Sequence, residues 1–255
     1  MLHLLQSISK WTVIGSLILL LASLIYKDRL PEPEHYEIDR LTDPLQQSTF
    51  RKPFWIETGG QRYRVSPLHD YTLDGVVVSY HDADAFSDIW HHDKWKDFLN
   101  VRDLCVIWGE NVASGVYQKM DFENDSWTCW AYWPDAQTGS QFQMRQLSNN
   151  HLLVDNLMLK EILMSAERGD HIRISGQLAS YENPGNGFLR GTSTRRDDTG
   201  NGACETIYVE DVQIVSKANS SWRSVHHISK WLLGLSLILF LVLFVITPVR
   251  KPFNS

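Results

Sequence analysis

Trp231–Val249 reads WLLGLSLILFLVLFVITPV, nineteen residues without a charge, with Lys230 on one side and Arg250-Lys251 on the other. As a helix rising about 1.5 Å per residue it is about 28 Å long, against a hydrocarbon core of about 30 Å. A helix buried in a soluble core normally keeps a polar stripe, and this run has none. Trp11–Tyr26, WTVIGSLILLLASLIY, is a second uncharged run of sixteen residues. It is short for a span unless Leu2–Leu5 and Ile8 extend it while Lys10 snorkels. Trp11, Tyr26 and Trp231 sit at the ends, where amphipathic rings favour the headgroup layer. No small-x-small cleavage site occurs before Lys27, which argues against a removed signal peptide. The sequence predicts two transmembrane helices, 11–26 and 229–249, with short tails 1–10 and 250–255.

The two runs share ISKW, at 8–11 and 228–231, and SLIL, at 16–19 and 236–239. In an antiparallel hairpin the ISKW ends face opposite sides, so the repeat reads as shared interfacial chemistry. Ser16 and Ser236, with Gly15 and Gly234 beside them, are expected to let the helices pack closely. Basic residues flanking the spans are nearly balanced. Two short tails suit a hairpin with both ends in the cytoplasm, and long domains translocate largely regardless of charge. The expected location of the central domain is therefore extracytoplasmic.

Between the spans lies room for one domain. A net charge of −6 argues against a general nucleic-acid binder, which carries a basic stripe. Cys105, Cys129 and Cys204 show no CxxC spacing, so no zinc ribbon is expected. Cys105 in DLCVIWG and Cys129 in WTCWAYW read as small buried hydrophobes, with a disulfide across neighbouring strands as the alternative.

Residues 27–60 carry Pro31, Pro33, Pro44 and Pro53 and read as a linker. Residues 71–80, 101–108 and 127–133 read as strands, the first with an internal Gly75 that marks a bulge or bend. Short helical turns are expected within 84–100. Residues 155–169 have helical spacing at Leu157, Leu159, Ile162 and Leu163, with Asp155 as N-cap and Gly169 as C-cap. Residues 170–181 alternate around Gly176. Residues 206–215 alternate with one slip, the mark of a bulge. Residues 217–228 complete the domain's exit as a second linker.

The order β-β-β-α-β-β, with GDHIRISGQL (169–178) followed by IYVEDVQIV (207–215), resembles an OB-fold. That resemblance implies a mainly β, α+β domain over 61–216. It would be an OB-like five-stranded barrel with one helix between strands three and four, flanked by the two transmembrane helices. The chain as a whole resembles bacterial two-span envelope proteins, which implies the bacterial inner membrane. In OB-folds the loops after strands one and four flank the ligand face. Here the first loop, 81–100, holds Trp90, His91, His92 and Trp95 amid five aspartates, and the second, 182–204, holds Arg190, Arg195 and Arg196. These seven residues are the expected ligand-binding set.

Paired Arg forks suit phosphate or carboxylate, although Asp197 and Asp198 can absorb the same charges locally. Asp88 and His92 share one helical face, which supplies only two ligands, so no metal site is expected. There is no GxSxG and no phosphate-loop GK[ST]. Ser148–His151 reads as a polar cap leading into the helix. The expected role is therefore a membrane-tethered binding or assembly module without cofactor or catalytic residues. It would recognise a protein partner, a second copy, or an anionic envelope ligand. The alternatives are a metal-dependent hydrolase built on 81–93 and, for a cytoplasmic domain, single-stranded nucleic-acid binding.

Overall fold

The apolar run at each end folds as one long helix, Leu2–Tyr26 and Ser220–Ile246. A computed structural model describes residues 1–85, 88, 90–200 and 204–248. Among these, both helices are long and apolar enough to cross a membrane, and only 17% of each apolar window is buried. A core helix of a soluble protein would be mostly covered, so the exposed apolar surface fits lipid.

The N-terminal helix starts at Leu2, so much of the expected tail 1–10 is helical. The C-terminal helix starts at Ser220, inside the expected linker 217–228. Val249 and the tail 250–255 lie outside the described residues. Tyr26 stacks on Trp222 at 4.6 Å and Ser23 Oγ meets His226 Nδ1 at 3.0 Å, so the pair runs antiparallel. The contact face repeats every seven residues, with Ser9, Ser16 and Ser23 against Ser229, Ser236 and Leu243. Each serine hydroxyl is satisfied by a carbonyl of its own helix, as from Ser16 to Thr12 at 2.7 Å. Gly15 and Gly234 point away, and a Cβ at either position would meet nothing within 4 Å. The serines alone provide the small-residue seam.

The second unit, Leu30–Ala218, is built on ten described strands. In chain order they are β1 (Leu45–Ser48), β2 (Phe54–Thr58), β3 (Gln61–His81), β4 (Asn100–Ile107), β5 (Asp121–Asn124), β6 (Cys129–Tyr132), β7 (Leu147–Leu153), β8 (His171–Asn183), β9 (Phe188–Arg190) and β10 (Cys204–Ser216). β1 and β2 lie within the expected linker 27–60 yet pair antiparallel with β3. Gly59 and Gly60, both at positive φ, make the tight β2–β3 turn.

β3 pairs with both β4 and β8. The path β3-β4-β7-β10-β8 therefore returns to β3. Every step is antiparallel except β7–β10, which is parallel. The ring is uneven: β3–β8 runs from Arg64↔Glu182 to Val76↔His171, whereas β7–β10 covers only Asn149↔Cys204 to Leu153↔Tyr208. β1, β2 and β9 extend it to an eight-stranded sheet, so the bare five-strand count does not describe the whole. Pro67 has no N–H to give the ladder, and the β3–β8 register shifts there, between Pro67 and His69. The β10 slip is real, between Val209 and Asp211. Gly75 marks no bulge; it lies where a Cβ would meet the Val106 side chain at 2.3 Å.

The third strand of the ring is β7, the stretch LSNNHLL, and not 127–133 as expected. The aromatic stretch instead forms β6, paired with β5 in a separate ribbon. Polar Ser148–His151 is thus a buried strand rather than a helix cap. The following helix is Leu157–Met164, and its N-cap is Asn156, whose side chain accepts from Met158 N–H at 2.9 Å, in place of Asp155. The ribbon is held to the ring by a Cys105–Cys129 disulfide, with Cα atoms 5.6 Å apart. Cys105 is buried as expected, but as half of a crosslink. One large apolar cluster, including Leu73, Leu104, Ile107, Leu152 and Ile174, fills the ring. A smaller cluster around Tyr63, Leu99 and Tyr181 closes the end near the 82–99 loop.

Candidate functional site

Aspartates organise the loop between β3 and β4. Asp88 Oδ1 accepts the N–H groups of Trp90 and His91, both at 3.0 Å. Its Oδ2 meets His91 Nδ1 at 2.8 Å and His81 Nε2 at 2.5 Å. Asp97 Oδ1 accepts from Leu99 and Asn100, and Tyr181 donates its hydroxyl to Asp97 Oδ2 at 2.5 Å. Where helical turns were expected, a single wide turn spans Trp90–Lys94; Phe86, Ser87 and Ile89 lie outside the described residues.

Burial raises the Asp88 carboxyl, but the His91 amide and the two rings outweigh it and hold the group below its usual range. Burial likewise lowers His91, against the pull of Asp103, Asp88 and Asp97. His91 Nε2 faces Asn100 Nδ2 at 3.4 Å. Asn100 donates to Asp103 Oδ1 at 2.8 Å, which also meets His151 Nδ1 at 2.7 Å. A continuous buried polar network therefore runs from the loop into β4 and β7.

The seven expected ligand residues separate on this frame. His91 is fully buried and serves the network. His92 stacks on Phe98 at 4.9 Å. Trp95 packs against Trp127 at 4.0 Å and Phe188 at 6.2 Å. Trp90 remains exposed, with Lys94 over its ring at 4.3 Å.

Each of the three arginines engages its own partners. Arg195 pairs with its neighbour Asp197 at 3.3 Å. Arg196 bonds Glu205 at 3.0 Å and the Tyr71 hydroxyl at 3.1 Å. Arg190 lies 5.7 Å from the Trp127 ring centroid.

Burial pushes the Glu205 carboxyl up to about 7 even with Arg196 beside it. A carboxyl raised on folding binds its proton more tightly in the native state. Stability is therefore lost as pH rises from the ordinary carboxylate range to about 7. Glu205→Gln keeps an acceptor for Arg196 and removes that titration. Its melting temperature should vary less than the wild type's between pH 5 and pH 8, with the gain largest at the alkaline end, as read by fluorescence melting in detergent.

The most open chemistry lies on the β5–β6 ribbon, outside the seven. Asp125 Oδ1 accepts from Trp127 and Thr128 N–H, both at 2.7 Å, and makes the turn. Its Oδ2 accepts Trp130 Nε1–H at 2.9 Å. Asn124 donates to Asn149 Oδ1 at 2.8 Å and accepts from Ser79 at 2.5 Å, so β7 supplies a polar floor. Above it opens a cleft of about 440 Å³, lined among others by Trp127, Trp130, Trp133, Met144 and Leu147. Trp127, Trp130, Tyr132 and Trp133 are each nearly half exposed. The turn-forming Asn124-Asp125-Ser126 between Phe122 and Trp127 is the sequence signal for this hairpin. Comparisons with family models, curated proteins and solved structures find no match to this chain.

Proposed function

We propose that the chain is a membrane-tethered binding module of OB type, whose aromatic cleft takes an apolar segment of a protein partner. The OB reading is supported by the cyclic strand pairing with its single parallel step, β7–β10, and by the helix between the third and fourth ring strands. The observation that carries the binding role is the cleft. Exposed Trp and Tyr gathered on a crosslinked ribbon supply large contact area at low entropic cost. Engagement of Arg195 and Arg196 by carboxylates weighs against an anionic polymer as the ligand. The Cys105–Cys129 pair favours an oxidising compartment, hence an extracytoplasmic domain, and with it weighs against nucleic acid.

The test is site-specific photocrosslinking of the full chain in native membranes. A probe at Trp130 or Trp133 should give a discrete protein adduct that a probe at exposed Leu189, on β9, does not. Equal patterns at all three positions would remove the cleft as the binding surface.

A further inference from the structure

We infer that His81, Asp88 and His91 form a site for one divalent transition-metal ion of the zinc class. Their ligand atoms, two imidazole nitrogens and a carboxylate oxygen, lie within 4.8 Å of one another. Donors bound to zinc at about 2.0–2.2 Å in a tetrahedron stand roughly 3.3 Å apart. His81 Nε2 and His91 Nδ1 sit 2.5 and 2.8 Å from Asp88 Oδ2, so each must open by less than an ångström to admit an ion.

The backbone is already set for this. Asp88 Oδ1 is fixed by two N–H groups of the wide turn, which aims Oδ2 at both rings. Asp88 and His91 are buried, whereas His81 is 24% exposed on its side chain, so the cluster has one face toward solvent. Binding at His91 Nδ1 puts the ring proton on Nε2, which Asn100 faces at 3.4 Å with its Nδ2 donor, so the Asn100 amide must turn to offer its unpartnered Oδ1 as the acceptor. Behind Asn100 lies Asp103, whose Oδ2 is buried without a hydrogen-bond partner among the described residues.

The nitrogen-rich donor set selects zinc, cobalt or nickel over calcium or magnesium, which prefer oxygen. Three protein ligands leave the fourth position for water or a partner's side chain. The site differs from the pairing of Asp88 with His92 that helical spacing suggests: His92 lies 3.9 Å from Asp84 and takes no part. An ion here would clamp the 82–99 loop, and with it Trp95, against the ring. It does not depend on the aromatic cleft being a docking surface.

The full chain, purified in detergent with a tag free of histidine and stripped with chelator, should take up one equivalent of Zn2+. Co2+ in its place should show the ligand-field bands of nitrogen and oxygen donors, without thiolate charge transfer. His81→Ala and Asp88→Asn should each weaken binding by at least about 50-fold. Asp88→Asn retains the acceptor for the Trp90 and His91 amides, so its turn stays capped, and His92→Ala should bind like the wild type. Less than a tenth of an equivalent in the wild type would overturn the assignment. So would thiolate bands from Cys204, or affinity unchanged in both ligand variants. If one variant loses its metal-free melting transition, the other variant and the wild-type Co2+ spectrum decide.

Discussion

Gly176→Ala is expected to cost the domain about 4 kcal/mol or more, enough to abolish a cooperative melting transition near physiological temperature. Gly176 pairs with Val209 of β10 on one side and Tyr71 of β3 on the other. A Cβ there would stand 2.0 Å from the Tyr208 carbonyl oxygen, 3.0 Å from its carbon and 3.1 Å from the Glu210 nitrogen. All three are backbone atoms, at the point where β10 bulges between Val209 and Asp211. No side chain can rotate away, so β10 itself must move off β8, and the β8–β10 ladder closes the ring. Gly191→Ala is the control, since nothing lies within 4 Å of a Cβ there and its φ is ordinary. Its melting temperature should stay within about 2 °C of the wild type, an effect of about 0.5 kcal/mol. A Gly176→Ala chain that melts with the control would show that β8 and β10 are not packed as described.

Asp103→Ala is expected to be the next most damaging change. Asp103 is fully buried and holds His151 and Asn100, themselves almost wholly buried. Removing one member of such a network strands the others without water, at about 3–5 kcal/mol. For a domain of this size that lowers the melting temperature by roughly 10 °C. Asp103→Asn should lose less, because an amide oxygen still accepts one bond.

The pH dependence separates the charge from the packing. Burial raises the Asp103 carboxyl, but His151, with Arg190 and Asn100, outweighs that and holds it below the ordinary carboxylate range. A carboxyl lowered on folding contributes stability above its unfolded pKa, about 4, and loses it as pH falls through the lower folded value. Wild type and variant should therefore converge in acid. A constant gap down to pH 2.5 would mean that the loss is packing alone.

The parts of the fold legible in the sequence are those where apolar patterning decides. Trp231–Val249 carries no charge, and only a helix satisfies the backbone of such a run in lipid. β8 and β10 alternate around Gly176 and the β10 slip, and both features are in the structure. β7 is hidden because its interior is polar. Asn149, Asn150 and His151 are buried by hydrogen bonds to Asn124, Leu104 and Asp103 rather than by hydrophobicity, so no alternation marks it. The aromatic stretch 127–133 mimics a barrel strand because Trp and Tyr favour strands whether or not the strand joins the main sheet.

The site is half legible for the same reason. Composition marks loop 81–100, but which of its histidines face each other depends on Asp88 capping the turn. Spacing pairs Asp88 with His92, whereas the fold pairs it with His81 and His91. Trp127, Trp130 and Trp133 pattern like a barrel wall, and only the separate β5–β6 pairing puts them on the surface as a cleft.

Two apolar helices joined through Ser9, Ser16 and Ser23 against Ser229 and Ser236 are long and apolar enough to cross a bilayer, and the proposed tethering of the domain rests on them. Alkaline carbonate extraction of membranes bearing the intact protein measures this directly. The chain is expected to stay with the sedimented bilayer while peripheral proteins are released. Recovery of the intact chain in the supernatant would contradict it.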